Sequence, residues 1–172
     1  MSAAPTRVLF VCLGNICRSP AAEGVFLHQL AQADLEGSFV VDSAGTGSWH
    51  VGQAADPRMR AAAERRGVPL PSRARQLSVA DLQTFDQILT MDAENLAAVR
   101  ALSRQRRPRA TITPLLQFCR RFPQQEVPDP YYGGEAGFDH VLDLLEDACA
   151  GLLATLLAAR RQSDRADPPT AS

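Results

Sequence analysis

The segment Val8 to Pro20, VLFVCLGNICRSP, constrains the fold of this chain more than any other. Its apolar run Val8-Leu9-Phe10-Val11 lacks polar alternation, the pattern of a strand buried on both faces in a parallel sheet. The spacing predicts a strand over Val8–Leu13 and a loop carrying Gly14 and Asn15. A helix over Ala21–Ala33 follows, with Ser19 as its cap and Pro20 in its first turn. A strand, a tight loop and a helix start together form an anion cradle, because backbone N–H groups and the positive end of the helix dipole face one spot. Cys12 and Arg18 stand at its two ends, five residues between them.

The rest of the chain repeats the alternation. Phe39-Val40-Val41 reads as a second strand ended by the loop Asp42-Ser43-Ala44-Gly45-Thr46-Gly47. Asp56-Pro57 opens a helix that Gly67 stops. Ser78 to Asp81 resembles a capping box opening a short helix to Phe85. Gln87–Met91 is a third strand, and Asp92 caps a helix through Leu102. Ala110–Leu116 contains a fourth strand, Cys119–Gly137 is a long loop, and Phe138–Arg160 is the last helix. The polar tail from Gln162 is read as disordered. The expectation is a single α/β domain over residues 1–160, a four-stranded parallel sheet flanked by helices on both faces. A disordered tail over 161–172 would follow. In such sheets ligands bind beyond the carboxyl ends of the strands, which places Cys12, Ser43, Asp92 and the Asp129 loop on one rim.

Composition excludes several classes. With net charge −1 there is no global electrostatic case for nucleic acid or an anionic membrane. All 18 basic residues are arginine, so no mechanism can use a lysine, and the Walker A signature is absent. The N-terminus lacks a signal peptide pattern and no apolar run is long enough for a membrane span. Four cysteines are too few for a disulfide scaffold, and a reduced, cytoplasmic setting is expected. Cys12 and Cys17 have no further Cys/His pair nearby to complete a zinc site.

The residues permit chemistry on a phosphate. A helix N-terminus and a nearby cation favour the thiolate of a cysteine, the nucleophilic form. Arg18 offers a planar fork for two phosphate oxygens. Gly14 permits close backbone approach, Asn15 tolerates a left-handed conformation, and Ser19 can donate to the sulfur. The N–H groups from Leu13 through Ile16 and Cys17 would surround the phosphate. Asp129, stiffened between Pro128 and Pro130, is the expected general acid. Tyr131, Tyr132 and Trp49 are expected as walls for a flat ring. His28, His50 and His140 are given no catalytic position.

Three motifs, CLGNICRSP, DSAGT and DPYYG, resemble those of the low-molecular-weight protein-tyrosine phosphatases, over residues 6–158. The resemblance implies metal-free hydrolysis of phosphotyrosine in protein substrates; no cofactor and no nucleic-acid or membrane partner are expected, and a monomer or weak dimer is expected. It makes Cys12 the nucleophile, Arg18 the phosphate-binding arginine and Asp129 the acid. Asn15, Ser19 and Ser43 support the loop, Asp92 is a second acidic residue, and Cys17 is a redox guard able to form a disulfide with Cys12. The chain departs from animal members by carrying Ser72 where a histidine is common. Arsenate reductases of the same fold need two further relay cysteines, and only Cys119 and Cys149 remain. A protein-arginine phosphatase branch is expected to carry threonine where this chain has Ile16. A non-catalytic phosphate-binding or redox module would leave the joint presence of Cys12, Arg18 and Asp129 unexplained.

Overall fold

The structure is a computed structural model, and it describes residues 4–131 and 133–166. Four strands, β1 (Thr6–Cys12), β2 (Phe39–Gly45), β3 (Gln87–Thr90) and β4 (Thr111–Pro114), form one parallel sheet in the order β2-β1-β3-β4. The central strand β1 buries both of its faces, as its unbroken apolar run requires. Val8 and Phe10 pack with α1 (Arg18–Gln32), α2 (Pro57–Glu64) and α5 (Glu135–Ala166). Leu9 and Val11 face the other way, toward Leu82 of α3 (Val79–Thr84) and Val99 of α4 (Ala93–Ser103). The sheet is thus flanked by helices on both faces. The chain leaves β1 toward β2 on one side and reaches β3 on the other. The end of β1 is therefore the switch point where a crevice opens.

Several boundaries differ from expectation, each for a physical reason. The second strand runs on through Ser43 to Gly45, where a loop was expected, because Asp42, Ser43, Ala44 and Gly45 pair in register with Leu9, Phe10, Val11 and Cys12. The first helix starts at Arg18, not Ala21, and Ser19 is not its cap. Cys17 holds the cap position without a side-chain bond, and the Ser19 hydroxyl is used elsewhere. The last helix begins at Glu135 and continues past Arg160 to Ala166. Residues 161–166, expected as disordered tail, are exposed helix, built from good helix formers such as Ala, Arg and Gln. The rest of the expected tail, residues 167–172, lies outside the described residues, as does Tyr132. No helix among the described residues is long and apolar enough to cross a membrane.

Candidate active site

The loop after β1 closes around a cavity of about 220 Å³ lined by Cys12, Leu13, Gly14, Ile16, Cys17 and Arg18 on one side and by Trp49, His50, Asp129 and Tyr131 on the other. Its shape is fixed from behind. Thr46 and Gly47 donate their N–H groups to Cys12 and Leu13 carbonyls, both at 2.9 Å, and Asp56 N–H donates to the Ile16 carbonyl at 2.8 Å. Asn15 takes the left-handed conformation, φ 56°. A Cβ on Gly45 would stand 2.8 Å from the Leu13 carbonyl oxygen, so only glycine lets β2 lie this close under the loop. Gly47 likewise leaves the room that the Trp49 ring occupies. The N–H groups of Leu13, Gly14, Ile16 and Cys17 have no acceptor among the described residues. Donors left open around one cavity at a helix N-terminus are what a bound anion satisfies.

The Cys12 sulfur is buried and sits 3.0 Å from Ser19 Oγ and 3.3 Å from the Asn15 N–H. Ser19 accepts from Asn15 Nδ2 at 2.8 Å, and the same amide donates to Ser43 Oγ at 3.0 Å. Asn15 Oδ1 accepts the Arg75 N–H at 3.0 Å, which fixes the orientation of the amide. Ser43 in turn donates to Glu23 Oε1 at 2.6 Å. Burial raises the Glu23 pKa above the ordinary carboxyl range, a tendency its bond from Ser43 opposes. Ser72, standing where a histidine was noted in animal members, lies near enough to Glu23 to oppose that rise as well.

Arg18 is almost wholly buried. Its Nη1 donates to Asp92 Oδ2 at 2.6 Å and to the Val127 carbonyl at 3.1 Å, and its Nη2 lies 3.7 Å from Asp129 Oδ2. Burial works against its charge, but Cys12, Asp92 and Asp129 outweigh that and raise its pKa. Asp92 has a second task as the cap of α4, accepting the Asn95 N–H at 2.8 Å. The acid loop is anchored at Val127, whose N–H bonds the Met91 carbonyl at 2.8 Å while its own carbonyl receives Arg18. Asp129 follows two residues later with its side chain half-exposed at the cavity, its Oδ1 accepting the Tyr131 N–H at 3.0 Å. Cys17 is buried, and burial, Asp56, Cys12 and Asp129 push its thiol up to about 12.

The expected residues therefore converge: Cys12, the 13–17 loop, Arg18 and Asp129 share one cavity, Trp49 and Tyr131 stand at its rim, and Ser19, Ser43 and Asp92 brace it from behind. The role expected of Tyr132 falls outside the described residues. His50, given no role from sequence, lines the cavity with its ring against Gly14 and its Nδ1 2.9 Å from Gln53 Oε1. Sequence reading also missed Glu23, Asp56, Arg58 and Arg75. Asp56 was read only as a helix start, and the other three carried no signal beyond polarity within otherwise ordinary elements. No cluster of His, Cys, Asp and Glu suited to a metal ion occurs among the described residues.

A buried thiol facing unmet backbone donors, an arginine fork and an aspartate defines a cysteine-dependent phosphatase site. Comparison with known proteins agrees with that geometry. The family model for the low molecular weight phosphotyrosine protein phosphatases matches residues 7–162, and the chain belongs to that family. A low molecular weight protein-tyrosine-phosphatase of Streptomyces coelicolor is 42% identical, over 87% of this chain and 93% of that protein. The crystal structure of a protein tyrosine phosphatase from Entamoeba histolytica superimposes with a TM-score of 0.83 at 42% identity, covering 90% of this chain and 99% of that one. A drosophila arginine phosphatase also shares the fold, with a TM-score of 0.82 at 31% identity over 87% and 96% of the two chains.

Proposed function

We propose that this protein hydrolyses phosphotyrosine in protein substrates through a phosphocysteine intermediate. The observation that carries this reading is the convergence of Cys12, Arg18 and Asp129 on a cavity rimmed by Trp49 and Tyr131. The Cys12 sulfur attacks phosphorus while Asp129 gives its proton to the tyrosyl oxygen. The S–P bond forms, the P–O bond breaks, and tyrosine leaves neutral. Asp129, now a carboxylate, takes a proton from water, whose oxygen attacks phosphorus and releases inorganic phosphate and the thiolate. The loop N–H groups and Arg18 meet the charge on the three equatorial oxygens, the place where fixed donors lower the barrier most. Every proton and charge is handled by the protein's own groups, so no cofactor enters the scheme.

The same reading makes Cys17 a redox guard that closes a disulfide with oxidised Cys12, and places the protein in the cytoplasm as a monomer or weak dimer with no nucleic-acid or membrane partner. Its support is the low cysteine count, the balanced charge and the shared cavity of the two thiols. Steady-state hydrolysis of an aryl phosphate tests the catalytic core. Cys12→Ser is expected to abolish turnover while retaining phosphate binding, and wild-type turnover by that variant would sink the proposal.

The likeness to a drosophila arginine phosphatase raises phosphoarginine as a second substrate. Ile16 lines the cavity and is almost wholly buried, an apolar surface against which an aryl group packs better than a guanidinium. Matched phosphotyrosine and phosphoarginine peptides are expected to differ in favour of tyrosine, and the reverse preference would reassign the substrate.

A further inference from the structure

We propose that Arg58 is a positioning residue for substrate selection, holding the Tyr131 ring at the distance from the phosphate loop that an aryl phosphate requires. The proposal rests on the reading of Tyr131 as a substrate wall. The Tyr131 N–H donates to Asp129 Oδ1, and the Gly133 N–H reaches the Pro130 carbonyl. The Arg58 guanidinium lies against the ring, 5.4 Å from the Tyr131 centroid and 4.8 Å from the centroid of Phe138. Phe138 belongs to the core and is fully buried, so the Tyr131–Arg58–Phe138 stack is rooted in α5.

The guanidinium is oriented within that stack by its partner. Asp56 Oδ1 accepts from Arg58 Nε at 3.1 Å and Asp56 Oδ2 from Nη2 at 2.9 Å, a fork-to-fork pair that fixes the plane. Asp56 is itself buried, caps α2 through the Arg58 N–H, and donates its own N–H to Ile16 of the phosphate loop. A short relay of contacts therefore runs from the loop that holds phosphorus, through Asp56 and Arg58, to the ring that would flank the substrate's ring. With its arginine half-exposed, the pair adds little to global stability. Its geometry instead sets one distance, from phosphate to aromatic wall. A lysine would keep the charge and lose the planar face and the fork.

The test compares 4-nitrophenyl phosphate with acetyl phosphate, which has a good leaving group and no ring, and uses inorganic phosphate as a competitive inhibitor. Arg58→Gln is expected to raise KM for the aryl ester about five-fold, the order of one exposed cation–π contact. It should leave kcat, KM for acetyl phosphate and Ki for phosphate unchanged. Arg58→Lys is expected to fall between Arg58→Gln and wild type. An unchanged aryl KM overturns the proposal. So does a parallel rise in aryl KM, acetyl phosphate KM and phosphate Ki, which would show a displaced phosphate loop. Trp49→Ala and Tyr131→Ala separate the two readings. If neither raises aryl KM, the aromatic-wall reading itself fails. If they raise it and Arg58→Gln does not, only the role of Arg58 fails.

Discussion

The Ser43 hydroxyl donates to Glu23 Oε1 across 2.6 Å, and on its other side it accepts the Asn15 amide at 3.0 Å. This pairing gives the network behind Cys12 a direction. The Arg75 N–H occupies Asn15 Oδ1, so both amide protons of Asn15 point at Ser19 and Ser43. Each serine then accepts from Asn15 and must spend its own proton elsewhere. Ser43 spends it on Glu23. Ser19 has the Cys12 sulfur at 3.0 Å and the Ala44 carbonyl only at 3.5 Å, so the sulfur is the better acceptor. That bond fixes where the sulfur stands at the floor of the cavity.

Glu23 makes this testable through stability. Its folded pKa is raised by burial above the ordinary 4.5. The folded state therefore holds this proton more tightly than the unfolded state does. The resulting stabilisation is fully present below pH 4.5 and is lost as pH rises through the raised value. Glu23→Gln keeps an acceptor for Ser43 and cannot titrate. Urea unfolding from pH 4 to 7 should show wild type losing stability relative to Glu23→Gln as pH rises. Parallel curves for the two proteins would contradict a raised pKa.

Much of this architecture was legible in the sequence because the informative residues lie close together. Val8 to Val11 announced a doubly buried strand, and Cys12, Gly14, Asn15 and Arg18 announced the cradle. Ser43 was found by its place after a strand, although β2 carries it within the strand itself. What stayed hidden depends on tertiary contact. Nothing local tells that Glu23, four residues beyond Ser19 on α1, turns its carboxyl toward Ser43 of a different strand. Arg58 looked like one arginine among 18, and only the fold brings Tyr131 and Phe138 up against it. Ser19 was misplaced as a cap because a serine before proline carries the same signal whether its hydroxyl serves a backbone N–H or a sulfur.

Asp92→Asn isolates the charge that holds Arg18. Asparagine keeps an oxygen for the Asn95 N–H, so the cap of α4 survives. The lost contact is the 2.6 Å bond to a nearly buried guanidinium. Hydrogen bonds to charged groups contribute about 1.5–3 kcal/mol, and the partial exposure of Asp92 puts the expected loss near the lower end. Denaturant midpoints should fall at constant m, with weaker inhibition by inorganic phosphate as Arg18 loses its orientation. An unchanged midpoint together with an unchanged Ki would mean that Val127 and Asp129 suffice to hold the fork.

Cys17, pushed up to about 12, is almost entirely protonated near neutrality. Closing a disulfide requires its thiolate to attack the oxidised Cys12 sulfur, forming S–S and expelling the sulfenic oxygen as water. After peroxide treatment, trapping by dimedone competes with that closure at the same Cys12 sulfenic acid. The disulfide-to-adduct ratio, read by mass spectrometry, should climb roughly ten-fold per pH unit between pH 7 and 9, as thiolate fraction does. Asp56→Asn removes the largest repelling charge while keeping a capping side chain, and should raise the ratio at every pH. A ratio flat in pH, or absence of the Cys12–Cys17 linked peptide, would rule Cys17 out as the guard.

Asp129 is held near the reacting centre from two sides. Its Oδ1 is tied to the Tyr131 N–H and its Oδ2 lies toward Arg18. In the proposed scheme phosphate takes the place of this carboxylate on Arg18, and Oδ2 carries the proton toward the leaving oxygen. General acid catalysis of this kind contributes about 10²–10⁴-fold, and the contribution grows with the basicity of the leaving group. In Asp129→Ala, turnover of phenyl phosphate should fall toward the upper end of that range, while 4-nitrophenyl phosphate, whose phenolate leaves without help, should fall much less. Across a series of substituted phenyl phosphates, log kcat should depend steeply on leaving-group pKa in the variant and weakly in wild type. Equal slopes in the two proteins would remove Asp129 from the role of acid and direct attention to other groups at the cavity rim, His50 first.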